Sequence, residues 1–420
     1  MAKREKEERV PPKKGAKPEV DDSEDMSPLA LTKALIKDFN KDGAEKLAWS
    51  LAFDDDNPTD VKEFISTGST LLDYITCNRR GGGGPVGKLM EFSGEEASGK
   101  SLVIAQMIAE CQRKGGIAVY IDVENSANPD FLERLGVDLK KLVYLQPPTV
   151  EDVGDAIEKT IVMTRTKAPN RLVMIAWDSI AATPTKTELD GNFELNMNSQ
   201  LEKSKVISKM MRKITQMLGK ERICLVFTNQ LKTKIGVMYG DPLTTPGGKA
   251  VPFHASVRVR LTKSSEIKNE KTGDVVGIRT LAKVIKNRLG PPLRKCEFNI
   301  MFAAGIDDVG SWFTKLHELG EIEKAAGWCY LTSFPSGKTD DKSKDRGLQF
   351  REKDWNFLIK GNDEVKDHVL NLLERRMVVT YEKGGINDLD IDPESLMDNE
   401  TVLSAVESGT FKTPETPAEG

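Results

Sequence analysis

The chain has few residues suited to disulfide or metal chemistry, and they are scattered. Cysteines are few and odd in number, and no two form a CxxC pair; they are Cys77, Cys111, Cys224, Cys296 and Cys329. Disulfides and a cysteine zinc site are therefore not expected, and a reducing compartment fits. The three histidines are isolated along the sequence, so no histidine metal triad is predicted either.

Long apolar runs and a strong charge excess are also missing. Leu172–Trp177, among the longest apolar runs, is far too short to cross a bilayer. No apolar stretch follows the charged start Met1–Val10, so we expect no signal peptide, no membrane partner and a cytoplasmic location. With 61 basic and 65 acidic residues, a globally basic nucleic-acid coat is excluded, whereas a local basic groove is not.

The length of 420 residues predicts one large core with smaller pieces at its ends. The predicted segments are a disordered arm (1–26), an oligomerisation helix with a linker (27–59), an α/β core (60–308), a small α+β domain (309–383) and an acidic disordered tail (384–420). The tail carries nine carboxylates and one lysine after Gly384. We interpret it as a DNA mimic that competes for a basic groove; a solubilising tail without contacts is the alternative.

Strands and helices alternate through the middle of the chain. Apolar runs typical of buried strands are Leu89–Phe92, Ala118–Asp122, Leu142–Leu145, Leu172–Asp178 and Ile223–Asn229. Helical patterns between them are Ser101–Lys114, Asp130–Leu135, Glu151–Thr166 and Ser199–Lys220. This alternation predicts a mainly parallel, twisted sheet covered by helices, which is the α/β class.

The two flanks of this core have different patterns. After residue 255 the pattern predicts antiparallel strands that extend the sheet, at Ser256–Leu261, Thr280–Lys286 and Cys296–Met301. Ser27 and Pro28 predict the start of a helix with one apolar stripe near the N-terminus. Near the C-terminus we expect one helix to include Trp312, Leu316, Leu319 and Ile322, a strand at Trp328–Leu331 and a last helix at Val365–Leu373.

A phosphate-binding motif follows the first strand of the core. Gly94-Glu95-Glu96-Ala97-Ser98-Gly99-Lys100-Ser101 matches GxxxxGK[ST], and an apolar helix comes after it. Backbone N–H groups of such a loop surround phosphates, and the helix N-terminus adds a positive dipole end. Lys100 is positioned to reach the outer phosphates and Ser101 to bind Mg²⁺. The sequence therefore predicts an ATP and Mg²⁺ site.

Two further carboxylates follow strands of the same predicted sheet. Asp178 ends the strand Leu172–Asp178 and is predicted to hold Mg²⁺ through water. Glu124, just past the strand Ala118–Asp122, is expected one strand over from the phosphate loop, where it orients the attacking water. From position alone, Glu124 is equally a surface residue, and Asp122 remains the other candidate acid.

Several stretches in a fixed order resemble the RecA recombinases of bacteria and phages. They include Ile65–Asp73, Gly94–Ser101, Ile121–Glu124, Asp178–Pro184 and Asn229–Pro242, followed by Thr244–Gly248, Phe253–Arg258 and Val284–Arg288. The match spans roughly residues 60–310. An ordered series of motifs is far more specific than the phosphate loop alone.

The resemblance implies a RecA-type P-loop NTPase core in a right-handed filament on single-stranded DNA. It implies homologous pairing with double-stranded DNA, strand exchange in DNA repair, and DNA-dependent ATP hydrolysis at subunit boundaries. Mediator proteins and a self-cleaving repressor are further partners of this family. By position, Glu124 activates water, Gln230 senses the γ-phosphate, Lys286 and Arg288 reach the neighbour's ATP, and Asn128 and Phe131 lie beside the adenine. Arg288 and Asn128 depart from the family's lysine and aspartate.

Two stretches, the polar Glu188–Ser199 and the glycine- and proline-rich Leu231–Ala250, are predicted as mobile loops that bind DNA. The helix between them carries Lys203, Lys205, Lys209, Arg212 and Lys213, which form either a DNA groove or a solvated face. With the resemblance, the expected DNA contacts are Lys205, Ser208, Arg212, Ile235, Val237, Gly247, Gly248 and Lys249. Phe253 is expected to relay the state of ATP between subunits.

Two other classes of P-loop protein remain alternatives at this point. A hexameric helicase of the same fold would be expected to carry an arginine finger and a helicase-specific domain, and neither is visible in the sequence. A regulatory P-loop ATPase tends to carry tandem cores, whereas this chain has one phosphate loop.

Overall fold

A computed structural model describes residues 27–41, 46–54, 59–191, 197–219, 221–233, 243–336 and 345–380. The chain divides into two units, Met1–Val61 and Lys62–Gly420. The predicted arm over 1–26 and the tail over 384–420 lie outside the described residues. Among the described residues, no helix combines the length and the apolar character that crossing a membrane requires.

The first unit contains helix α1 (Pro28–Phe39). Its start is the one predicted: the Ser27 hydroxyl accepts a hydrogen bond from the backbone N–H of Ala30 at 3.3 Å, and Pro28 occupies the first helical position. The apolar side chains of Leu31, Leu35 and Phe39 are exposed. The proposed role of α1 in oligomerisation remains a prediction.

The second unit contains sixteen strands within its described residues. They are β1 (Phe64–Ile65), β2 (Gly84–Pro85), β3 (Leu89–Gly94), β4 (Ile117–Asp122), β5 (Leu142–Leu145), β6 (Val173–Asp178), β7 (Ile223–Gln230), β8 (Lys232–Thr233), β9 (Leu243–Thr244), β10 (Val257–Lys268), β11 (Val275–Asn287), β12 (Lys295–Met301), β13 (Gly305–Asp307), β14 (Ile322–Ala325), β15 (Trp328–Leu331) and β16 (Leu348–Phe350).

Helices connect many of these strands, and two more follow the last strand. They are α2 (Thr70–Cys77), α3 (Lys100–Arg113), α4 (Pro129–Arg134), α5 (Val150–Lys167), α6 (Lys186–Asp190), α7 (Met197–Leu218), α8 (Ala250–His254), α9 (Asp308–Glu318), α10 (Trp355–Gly361) and α11 (Asp363–Met377). Two short 3-10 turns occupy Leu139–Lys141 and Glu352–Asp354.

Nine strands form the central sheet in the order β13-β12-β11-β10-β3-β7-β6-β4-β5. The strands β10, β3, β7, β6, β4 and β5 run parallel to one another. Beyond β10, the strands β11, β12 and β13 follow in turn, each antiparallel to the strand before it. The predicted parallel sheet with an antiparallel extension is therefore confirmed. Because the parallel strands end at one edge, the residues that follow β3, β4, β6 and β7 meet there.

Two apolar clusters cover the two faces of the sheet. One face packs α5, α7 and α8 against side chains such as Ile175, Trp177 and Phe227. The other face packs α2 and α3, and its cluster continues into α9, α10 and α11. The predicted boundary near residue 309 therefore separates two regions that share a continuous core, and the domain division stays a prediction.

Three expected features differ from the structure. The helix over Trp312 does not include Ile322: it ends at Glu318, because Gly320 has a left-handed φ of 74°, and Ile322 begins β14. The predicted loop Glu188–Ser199 is not all loop: its first residues belong to α6, which Thr185 and Glu188 start with a capping box, and its last residues belong to α7. The stretch 231–250 has an ordered stem, in which β8 pairs with β9.

Candidate functional site

The phosphate loop is the turn that joins β3 to α3. Ala97 and Gly99 adopt left-handed φ angles of 56° and 95°. A side chain at Gly94 would meet the carbonyl oxygen of Leu261 and the hydroxyl of Ser98, each 2.5 Å away. The Ser98 hydroxyl donates to the carbonyl of Glu95 at 2.7 Å. Close packing of the backbone thus fixes the shape of the loop. The loop leads directly into the N-terminus of α3, the helix end that favours anions.

Lys100 begins α3 and folds back over the loop. Its amine donates to the carbonyls of Gly94 at 3.2 Å and Glu95 at 2.7 Å. Burial lowers the pKa of Lys100, whereas Asp178, Glu124 and Glu96 favour its charged form. Lys100 lines the cavity described below, and its predicted contact with phosphates stays a prediction.

Asp178 ends β6 and is almost fully buried. Thr228 on the neighbouring strand β7 donates to one carboxylate oxygen, and the Tyr120 hydroxyl donates to the other at 3.3 Å. Burial raises the pKa of Asp178, and hydrogen bonds from Ser101 and Thr228 oppose that rise. Ser101 and Asp178 therefore lie together, as the predicted metal site requires.

The donor set fits Mg²⁺ held with help from a phosphate. A hydroxyl and a carboxylate are hard oxygen ligands, and Mg²⁺ usually takes one or two of them together with waters and phosphate oxygens. In the described part of the chain, no three or more His, Cys, Asp or Glu side chains are grouped to hold a metal ion unaided.

Glu124 follows β4, but it is not one strand over from the phosphate loop. In the sheet, β7 and β6 lie between β3 and β4, so that expectation was wrong. Glu124 reaches the site from its loop, where its carboxylate accepts a hydrogen bond from the Ser179 hydroxyl at 2.6 Å. Asp122, the other candidate acid, is fully buried. Among these two, Glu124 is the acid that faces the site.

A cavity of about 390 Å³ brings these groups together. It is lined by Gly94, Glu95, Glu96, Ala97, Lys100, Ser101, Glu124, Asp178, Gln230 and Leu231. Gln230, the last residue of β7, is exposed. The cavity therefore contains most of the predicted phosphate loop and three further predicted residues from β6, β7 and the loop after β4.

Four other predicted residues do not line this cavity. The Asn128 side chain caps α4 by accepting from the Phe131 N–H at 3.2 Å. The amine of Lys286 donates to the carbonyls of Pro252 at 2.7 Å and Phe253 at 2.8 Å, and Arg288 donates to the same Phe253 carbonyl at 3.1 Å. Both cations therefore bind the C-terminal end of α8 within their own subunit.

The basic side chains of α7 differ in their surroundings. Lys205, Lys209 and Arg212 are exposed. By contrast, Lys203 donates to the carbonyl of Ala181 at 3.1 Å, and burial lowers its pKa. Lys213 forms an ion pair with Glu158 at 2.6 Å. Lys213 is exposed as well, but Lys205, Lys209 and Arg212 occur at intervals of four and three residues, so these three form one stripe along the helix.

The segment that precedes α8 packs closely on α7. Gly247 and Gly248 have left-handed φ angles of 97° and 68°. A side chain at Gly248 would meet the Ser204 hydroxyl at 2.9 Å. Lys249 follows and is exposed, whereas Ser208 on α7 is half-buried. Ile235 and Val237, two further predicted DNA contacts, lie outside the described residues.

A buried polar network connects this segment to the strand below the phosphate loop. Glu91, fully buried on β3, forms an ion pair with Arg258 on β10. The Asn229 amide donates to Glu91 at 3.1 Å and to the carbonyl of Pro246 at 3.0 Å. Arg258 also donates to the Thr245 hydroxyl at 3.3 Å. Thr245 and Pro246, which directly precede Gly247, are therefore bonded to β10 and β7. These two strands flank β3, the strand that leads into the phosphate loop.

Comparisons with known proteins identify the family of this chain. The family described as the RecA N-terminal domain matches residues 31–307. "Protein RecA" of Ruminococcus albus is 38% identical over 308 residues, covering 73% of this chain and 72% of the relative. "Protein RecA" of Colwellia psychrerythraea is 38% identical over 314 residues, covering 73% and 83%. That of Paracoccus denitrificans is 36% identical over 274 residues, covering 65% and 73%.

The chain belongs to the RecA family. Its function is accordingly that of an ATP-dependent DNA recombinase, which binds ATP and DNA, and the helicase and regulatory ATPase alternatives are not favoured. The resemblance found from the motifs is thus confirmed.

Some residues of this RecA-family site were missed from the sequence. Thr228 and Tyr120 both donate to Asp178, and Asn229 and Glu91 join the network below the phosphate loop. A usable signal was present for part of this set. Thr228 and Asn229 interrupt an apolar strand just before Gln230, and a polar residue within a buried strand requires a partner.

Proposed function

We propose that this RecA-family chain is a DNA-dependent ATPase whose active site is completed between adjacent subunits of a filament on single-stranded DNA. The observation that carries the proposal is the cavity in which Lys100, Ser101, Asp178, Glu124 and Gln230 converge. The basic pair Lys286 and Arg288 lies elsewhere, at the end of β11, where both side chains donate to carbonyls of α8. This pair would supply charge to a neighbour's nucleotide.

Within one subunit, each group has a role that follows from its position. The loop N–H groups and Lys100 hold the phosphates, and Ser101 and Asp178 would hold Mg²⁺. The metal ion, when bound, neutralises charge that develops on the phosphate oxygens. Glu124 orients the attacking water, because its carboxylate faces the cavity and is directed by Ser179.

Gln230 supports a coupling of nucleotide state to DNA. It lines the cavity and directly precedes the segment that leads to Gly247 and Gly248. Its neighbour Asn229 bonds to the carbonyl of Pro246 in that segment. A change at the outer phosphate would therefore be transmitted through β7 to the segment that packs on the basic stripe of α7.

ATP turnover measured with and without single-stranded DNA tests the proposal. We expect DNA to stimulate hydrolysis by the wild type, and Lys100→Ala to abolish it because the phosphates lose their cation. Glu124→Gln should bind ATP and assemble on DNA but hydrolyse at least ~100-fold more slowly, since only water activation is lost.

Glu133→Gln is the matched control, because Glu133 is exposed on α4 and does not line the cavity. Electron microscopy with a slowly hydrolysed ATP analogue gives a second readout, for which helical filaments on single-stranded DNA are expected. Closed rings, or turnover indifferent to DNA, would overturn the proposal.

A further inference from the structure

The loop that carries Glu124 is fastened by a carboxylate that does not itself face the nucleotide. Asp122, fully buried at the end of β4, accepts a hydrogen bond from the backbone N–H of Ala127 at 2.9 Å. The Ser126 hydroxyl lies 3.5 Å from its other oxygen. These bonds between a side chain and the following loop fix the far end of the loop relative to β4.

A tyrosine on the edge strand β5 also bonds to Asp122, at the oxygen that accepts from Ala127. The Tyr144 hydroxyl donates to Asp122 at 2.9 Å and accepts from the Gln146 amide, also at 2.9 Å. Gln146 in addition donates to the Asn125 side chain. Burial and the Asp122 carboxylate both raise the pKa of Tyr144 above its ordinary value, so its hydroxyl stays a donor at neutral pH.

These hydrogen bonds form a connected network around Glu124. Gln146 holds Asn125, the residue after Glu124, while Asp122 holds Ala127, three residues after it. Asn125 has a left-handed φ of 53°, so the chain turns sharply just past the carboxylate. The hydrogen-bond network therefore fixes the backbone on the C-terminal side of Glu124, and with it the direction from which its side chain enters the cavity.

We propose that Tyr144, Asp122 and Gln146 are positioning residues for ATP hydrolysis, which hold Glu124 in the geometry that orients the attacking water. The inference rests on the proposed role of Glu124. Hydrolysis is sensitive to this geometry, because a reacting group displaced by about 1 Å can cost on the order of 100-fold in rate.

Tyr144→Phe is the sharpest test, since it removes one hydroxyl and keeps the ring. In preassembled filaments, we expect kcat to fall roughly tenfold while the dissociation constant for ATP and the DNA affinity stay within about twofold. Gln146→Ala should also lower kcat, and because Gln146 is exposed, this change leaves the core packing intact. Tyr330→Phe on β15 is the matched control and should leave kcat unchanged.

A double-mutant cycle separates positioning from a general structural effect. In the Glu124→Gln background, Tyr144→Phe should have no further effect on single-turnover hydrolysis, because the group it positions is already gone. Equal losses in both backgrounds, an unchanged kcat in the wild-type background, or weakened ATP binding would overturn the inference. If Glu124→Gln alone left hydrolysis intact, the proposed role of Glu124 would fail instead.

Discussion

Glu91 is a fully buried carboxylate on a strand whose neighbouring residues Met90 and Phe92 are apolar and buried, and its charge is balanced by Arg258. Removing one partner of a buried pair leaves an uncompensated charge. We therefore expect Arg258→Met to lower the free energy of unfolding by about 3–5 kcal/mol. The double variant Glu91→Gln, Arg258→Met should recover much of the loss, as measured by urea unfolding. A single variant as stable as the wild type would contradict this account.

The lowered pKa of Lys286 leads us to expect that filament assembly depends on pH. Burial first, and then the charges of Arg288 and Arg258, lower its pKa to about 8. Its amine is therefore mostly charged at pH 7 in the free subunit and mostly neutral by pH 9. If the charged amine must contact a neighbour's phosphates, assembly above pH 8 takes up a proton, and ATP-dependent filament formation should weaken as pH rises.

Light scattering at a series of pH values between 6.5 and 9.5 measures this dependence. Lys286→Arg keeps the charge throughout the range, so it should flatten the profile above pH 8. Identical profiles for the wild type and Lys286→Arg would assign the dependence to another group.

At the scale of elements, the helix α7 should bind DNA through its exposed stripe. Each phosphate contact to single-stranded DNA contributes about 0.7 to the slope of log affinity against log salt. Lys205→Ala and Arg212→Ala should each weaken binding and reduce that slope by about this amount. Lys213→Ala is the control, because its amine is paired with Glu158. Equal effects at all three positions would favour a diffuse solvated face over a groove.

The contact between Gly248 and α7 gives a second prediction at this scale. An alanine at Gly248 would be strained at its left-handed φ and would press on Ser204. We expect Gly248→Ala to reduce affinity for single-stranded DNA without changing ATP binding. Gly320→Ala separates backbone strain from the contact with Ser204. An alanine there has the same strain, about 1–2 kcal/mol, but its side chain would have no neighbour within 4 Å. Equal DNA affinities for both variants would contradict the packing argument.

The elements were largely predictable from the sequence, because buried parallel strands and amphipathic helices leave clear periodic patterns. The phosphate loop and Asp178 were found for the same reason, as each lies at the end of a readable strand, whereas Gln230 was found only through the resemblance to the RecA family. What the sequence did not show was strand order: chain order suggested that β4 neighbours β3, whereas two strands intervene. Tyr144 was missed because its partner Asp122 lies on another strand, 22 residues earlier in the chain.

In the whole filament, Lys286 and Arg288 are expected to act across the boundary between two subunits. Both side chains bind α8 carbonyls in their own subunit, outside the nucleotide cavity. A head-to-tail filament would place them against the next subunit. Changing both to alanine should leave nucleotide binding to isolated subunits intact and remove DNA-stimulated hydrolysis.

Mixing that double variant with Lys100→Ala subunits decides whether the two basic residues act on a neighbour. Each variant alone lacks one half of every active site, so each should be inactive. In a random mixture of equal parts, about a quarter of the boundaries pair an intact phosphate loop with an intact basic pair, because a head-to-tail contact has two distinct sides. DNA-stimulated hydrolysis should therefore return to about a quarter of the wild-type rate. Fluorescent labels on the two variants would show whether they share filaments, and no recovery within shared filaments would mean that Lys286 and Arg288 serve their own subunit alone.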